Sequence, residues 1–183
     1  MYVLTLATSA GLSAHLDAVR AGAIASHGDA AAAAHMTLFR ALPAARLGDV
    51  DARLLDVAAR LGPLRARTGA VRRREGGVVV LLEGGGERRV AAMREALAQE
   101  WAGALGEGDG APFVPGWVVV EGVGNAYVVE KTVQELERWE GAKGFVHGLV
   151  LWRVAEDGAW SFHKSYEFLG TERWPLEENK ESG

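Results

Sequence analysis

The 183-residue chain has no cysteine. That excludes disulfides, thiolate metal sites and thiol catalysis, and it fits a reducing compartment. No run of about 18 apolar residues occurs, so no membrane span is expected. The opening "MYVLTLATSAGLSAHLDAVR" lacks the basic start and long apolar core of a secretory signal. The expected location is therefore cytoplasmic, with the nucleus as an alternative. Positive charge is also short: the formal net charge is −4 and the pI about 5.8. A broad basic face for gripping long nucleic acid is excluded, while a small site for a nucleotide end is not. The glycine-rich stretches "GDGAP" and "EGGGE" lack phosphate-loop spacing. No His/Asp/Glu cluster has metal-ligand spacing, so neither metal nor cofactor is expected.

What is present is an ordinary soluble composition, 49% hydrophobic and 24% charged, long enough for one good core or two lobes that share one. Periodicity predicts strands at 2–7 and 35–42, helices at 12–25 and 48–62, and a hairpin of 63–74 with 78–84. A helix at 87–105 follows. After a break at 106–112, a strand at 116–123, a helix at 126–141 and a hairpin of 144–154 with 159–170 complete the chain, and 171–183 reads as a frayed tail. Strand, helix, hairpin thus occurs twice, over roughly 35–84 and 116–170. Glu75 and Glu156, at the two hairpin turns, are 81 residues apart. The same offset matches Leu55 with Leu136, Leu64 with Phe145 and Arg72 with Arg153. The expected form is two pseudo-symmetric lobes about a cleft, a common place for a ligand.

"AHMTLFRALP", residues 34–43, holds the clearest chemistry. Alternation puts His35 and Thr37 on one face of a strand and Met36 and Leu38 on the other. With the preceding "YVLTL" strand and the late "GLVLWRV…DGAWSFHKSYEF" hairpin, this stretch resembles the first motif of the 2H phosphoesterase superfamily, in its 2′-5′ RNA ligase-like, LigT-type branch. The resemblance covers roughly residues 2–169. It implies a bilobal α+β fold, two lobes of antiparallel sheet plus helices around a central cleft, and metal-independent chemistry on 2′,3′-cyclic phosphates or RNA ends. In that chemistry two HxT motifs face each other. Each histidine serves as general acid or base, and each threonine hydroxyl steadies a phosphate oxygen.

Only His35 and Thr37 carry over. An offset of 81 places the second motif on Gly116 and Val118, in "PGWVVVEGV". His147 and His163 are the candidate substitutes, with Glu121 a weaker one. Trp117, beside the second motif position, is a candidate for stacking a base, with core packing as the competing reading. Arg65 and Arg67, in "RARTGAVRRR", are candidates for phosphate contact against the alternative of a solvated edge strand guarded by charge. Trp101, Trp139 and Trp152 read as core. Two functions follow as expectations: a divergent phosphodiesterase, or an inactive nucleotide- or RNA-binding or scaffold protein on the same fold. The expected partner is a nucleotide or short RNA end, met by a monomer.

Overall fold

The computed structural model describes residues 1–24, 33–74, 76–122 and 125–172. The elements run β1 (Tyr2–Thr8), α1 (Ala10–Ile24), β2 (Thr37–Leu42), α2 (Leu47–Arg60), β3 (Leu64–Arg74) and β4 (Gly77–Glu83), then α3 (Gly86–Glu100), β5 (Gly116–Val120), α4 (Ala126–Glu137), β6 (Lys143–Val154) and β7 (Trp160–Glu167). Every expected element forms, so the fold is α+β as anticipated. Glu75, His27 and the tail beyond residue 172 lie outside the described residues. Among the described residues no helix is long and apolar enough to cross a membrane.

Local chemistry explains the boundaries. Asp49 in the first turn of α2 and Arg60 in its last complement the helix dipole, while Val50, Leu54, Val57 and Ala58 bury one face. Asn125 caps α4, its side chain accepting from the Tyr127 amide at 3.0 Å. Helix α3 stops at Glu100, five residues short of expectation, where buried Trp101 packs edge-on against Phe39 at 5.2 Å. The chain then tightens into a 3-10 turn, Ala102–Ala104.

The strands form one antiparallel seven-stranded sheet in the order β2-β1-β6-β3-β4-β5, with β7 on the same edge of β6 as β3. The lobes therefore share a sheet instead of each closing its own. Its two end strands meet again at a single bridge. The Val118 amide donates to the His35 carbonyl at 2.8 Å, and the His35 amide to the Val118 carbonyl at 3.4 Å.

That bridge bears on the repeat. Residues directly opposite in an antiparallel pair share a face. With His35 opposite Val118, Met36 falls opposite Trp117 and Thr37 opposite Gly116. Met36 and Trp117 are 81 apart, so a two-fold axis through that row exchanges the two strands. The extra residues at the bulges of β2 and β5, Leu38 and Val119, are also 81 apart. Further on, the offset slips by one. The left-handed turn glycines of the two hairpins, Gly76 and Gly158, are 82 apart, an offset that matches Leu64 with Val146 in place of Phe145. Leu64 and Val146 are both buried, whereas Phe145 is exposed on the other face. Burial thus corrects the pairing inferred from spacing.

A candidate phosphate cleft between two unequal walls

One wall is the start of β2. Alternation, interrupted by the bulge at Leu38, puts His35, Thr37 and Arg40 on one face, while Met36 and Phe39 are buried on the other. The His35 Nδ1 lies 2.8 Å from the Ala33 carbonyl oxygen. A carbonyl only accepts, so in the neutral ring Nδ1 carries the proton and Nε2 keeps its lone pair. Burial holds the His35 pKa below the usual imidazole range. The Ala33 bond and the Glu121 carboxylate oppose that shift, and Arg20 and Arg40 reinforce it. Neutral His35 is a base at pH 7. The indole of Trp160 stands edge-on to its ring at 5.1 Å. Among the described residues the Thr37 hydroxyl has no hydrogen-bond partner. Next to it, Thr5 accepts from Trp152 Nε1 at 2.8 Å, which fixes that indole on the same face.

The second wall is β5, where Gly116, Val118 and Glu121 occupy the positions 81 residues after His35, Thr37 and Arg40. It is apolar until Glu121, whose carboxylate meets the Arg40 guanidinium at 2.9 Å. A Cβ built on Gly116 would lie 2.6 Å from Val79 Cγ1 and 3.0 Å from the Val80 carbonyl oxygen. The branched Val79 side chain therefore occupies the ground from which a side chain at 116 would project. Thr37, Arg40, Gly116 and Val118 share one cavity of about 130 Å³, together with Arg74 and Arg94.

The far side of that cavity is the segment expected to be a plain break. It is instead pinned to β2. The buried Asp109 carboxylate accepts from the Arg40 and Ala41 amides at 2.7 and 3.0 Å. Arg94 donates to the Asp109 carbonyl, with its guanidinium 5.1 and 5.5 Å from the Phe39 and Phe113 rings.

A family model of the 2′-5′ RNA ligase superfamily matches residues 9–158. The chain belongs to the 2′-5′ RNA ligase superfamily. Solved structures agree on the fold. TT0787 of Thermus thermophilus superposes with a TM-score of 0.68 at 17% identity, covering 93% of this chain and 99% of that one. LigT of E. coli complexed with 3′-AMP gives 0.64 at 14% identity, over 92% and 97%. Its apo form gives 0.57 at 15%, over 93% and 97%. No curated protein matches significantly by sequence.

In this superfamily member the other sequence candidates fall away from the cleft. Trp117 is 0% exposed and its ring lies in the core, so it has no face to offer a base. Its Nε1 is a buried donor without a partner among the described residues. His147 sits at the bulge between β1 and β6, its Nε2 donating to the Thr8 carbonyl at 3.1 Å. His163 packs edge-on against Tyr2 at 5.0 Å, near Asp51. The Asp51 carboxyl, held below its usual range by bonds from Lys164 and Tyr166 at 2.6 and 2.7 Å, belongs to that separate cluster. Neither imidazole contacts His35.

Arg65 and Arg67 lie on β3, an interior strand at that point, separated from β2 by β6 and β1. Arg67 pairs with Glu83 at 3.2 Å, and Arg65 lines a cavity of about 650 Å³ around Gly62, Gly84–Gly86 and Arg89. That cavity has no histidine, and the backbone at the start of α3 is already met by Glu87, which accepts from the Gly85 amide at 2.8 Å. It is larger than the cleft, and its one carboxylate, Glu172, is held by Arg60 at 3.0 Å.

Sequence reasoning missed Arg40, Trp160 and Trp152 as cleft residues. Arg40 was legible, because its repeat mate is Glu121. The two tryptophans were not: whether that face of the hairpin closes into core or borders a cleft depends on how the sheet curves.

Proposed function

We propose that the cleft between β2 and β5 binds the phosphate of a nucleotide or RNA end, with His35 as its one imidazole and the second HxT motif degenerate. What supports this most is the His35–Thr37 pair: one face, an imidazole nitrogen with its lone pair free, and an unengaged hydroxyl beside it. The similar fold of LigT, solved with 3′-AMP, makes an adenine nucleotide a sensible first ligand. Trp160, and Phe162 on the same hairpin, offer a flat apolar surface for the base, in place of Trp117.

With a 2′,3′-cyclic phosphate bound, His35 Nε2 takes a proton from water as the water oxygen attacks phosphorus. One P–O bond to the ribose breaks, and that ribose oxygen receives a proton from His35 or solvent. Thr37 donates to a non-bridging oxygen. No metal enters this scheme. A second reading, binding without turnover, draws support from Val79 and Val118, which leave no acid–base group opposite His35. Losing one such partner typically costs on the order of 10²–10⁴ in rate.

Calorimetry and 2′,3′-cyclic AMP hydrolysis on wild type, His35→Ala and Thr37→Ala decide the matter. Turnover lost in His35→Ala supports the enzyme reading, and binding without turnover supports the second. Binding and turnover identical in all three folded proteins would remove the cleft from the function.

A further inference from the structure

Arg40 and Glu121 are repeat mates in contact. The Arg40 Nη2 donates to Glu121 Oε1 at 2.9 Å across the gap between β2 and β5. Positions exchanged by a two-fold axis approach each other only near it, and here the axis passes through the buried Met36–Trp117 row between the two strands. The ion pair therefore ties the two walls together, and its arginine lines the cavity shared by Thr37 and Val118. Arg40 borders the same cavity as Thr37, and the charges of both partners reach the His35 ring.

The pair is built to open. Its side chains are 52% and 50% exposed, and ion pairs so solvated are weak. A guanidinium binds phosphate through two parallel N–H donors, more strongly than it binds a carboxylate at one oxygen. The Arg40 backbone does not share this freedom, because the Asp109 carboxylate holds its amide at 2.7 Å. A fixed backbone with an exchangeable side chain lets Arg40 trade partners without disturbing His35 or Thr37.

We propose that Arg40 is a phosphate-binding residue of the cleft and that Glu121 is its resident counter-anion, displaced from Arg40 when a nucleotide phosphate enters. This rests on the reading of the cleft as a phosphate site. Glu121 thus sets how readily anions are admitted, a role distinct from replacing the second histidine.

The test is calorimetric titration with 3′-AMP at pH 7.5 of wild type, Glu121→Gln, Arg40→Ala, the double variant and His35→Ala, each checked for an unchanged thermal midpoint. Glu121→Gln is expected to tighten binding about three- to fivefold by relieving the competition. Arg40→Ala is expected to weaken it about tenfold or more. The double variant should match Arg40→Ala, since Glu121 acts through Arg40. Binding by Glu121→Gln alone would also support the exchange. Binding that depends on His35 yet ignores both Arg40 and Glu121 overturns this proposal and leaves the cleft reading standing. No binding by any protein, Glu121→Gln included, overturns both.

Discussion

The two walls of the cleft share a backbone and differ in chemistry. Each is a short strand with a bulge at a matching position, Leu38 or Val119, and β2 has a second irregularity between Phe39 and Leu42. Each turns one large apolar residue into the core, Met36 or Trp117, both at most 1% exposed. Yet on the open face the first wall presents an imidazole, a hydroxyl and a guanidinium, while the second presents a bare backbone, an isopropyl group and a carboxylate. The backbone is held by packing on the buried face. The other face is solvated at Arg40 but buried along β5, where Val79 limits what position 116 can carry.

The comparison breaks most visibly at His35. His35→Ala is expected to lower any 2′,3′-cyclic nucleotide hydrolysis on the order of 10²–10⁴-fold, while Val118→Ala leaves the rate of the same order. Equal losses in steady-state assays would mean that the walls are functionally alike. The buried faces should behave in the opposite way, as partners. Trp117→Ala is expected to cost about 3–5 kcal/mol and Met36→Ala about 2–5 kcal/mol in urea denaturation. A loss well under 1 kcal/mol in either would deny that this row is the shared floor.

A smaller effect tests why the walls differ. Gly116→His, the apparent repair of the second motif, is expected to destabilise by about 1–3 kcal/mol through overpacking against Val79. Adding Val79→Ala should recover part of that loss. No penalty in the single variant would show that Val79 does not fill this ground.

The smallest effect concerns pH. The folded-state pKa of His35 is depressed by burial, so the folded protein binds fewer protons than the unfolded chain between that value and about 6.5. The stabilisation from a neutral His35 is complete above about 6.5 and is lost as pH falls through the depressed value. Urea midpoints of wild type should fall more steeply on acidification than those of His35→Gln. Parallel curves would contradict the burial.

Much of this could be read in the sequence. Strand and helix order followed from periodicity, and the first wall from a single HxT with its flanking apolar pattern. The place of the second wall followed from one offset, which matches His35 with Gly116 and Thr37 with Val118; that the His35 backbone bridges to Val118 did not. Spacing failed where one inserted residue changes which face a side chain takes. With the turn glycines 82 apart, buried Leu64 matches buried Val146 and not exposed Phe145. Trp117 shows the limit differently. Sequence placed it beside the second motif, but one position along a strand is the opposite face, and there it is core. Asp109 was illegible because its partners are amides of an edge strand almost seventy residues earlier.

The central claim is that ligand phosphate meets the first wall. Its most direct test is an NMR titration of the labelled protein with 3′-AMP, following backbone amides, the histidine rings and arginine side chains. The account predicts saturable shifts centred on His35, Thr37, Arg40 and Val118, with His147 and His163 undisturbed. Shifts centred instead on Arg65, Gly84–Gly86 and Arg89, with His35 unmoved, would contradict it.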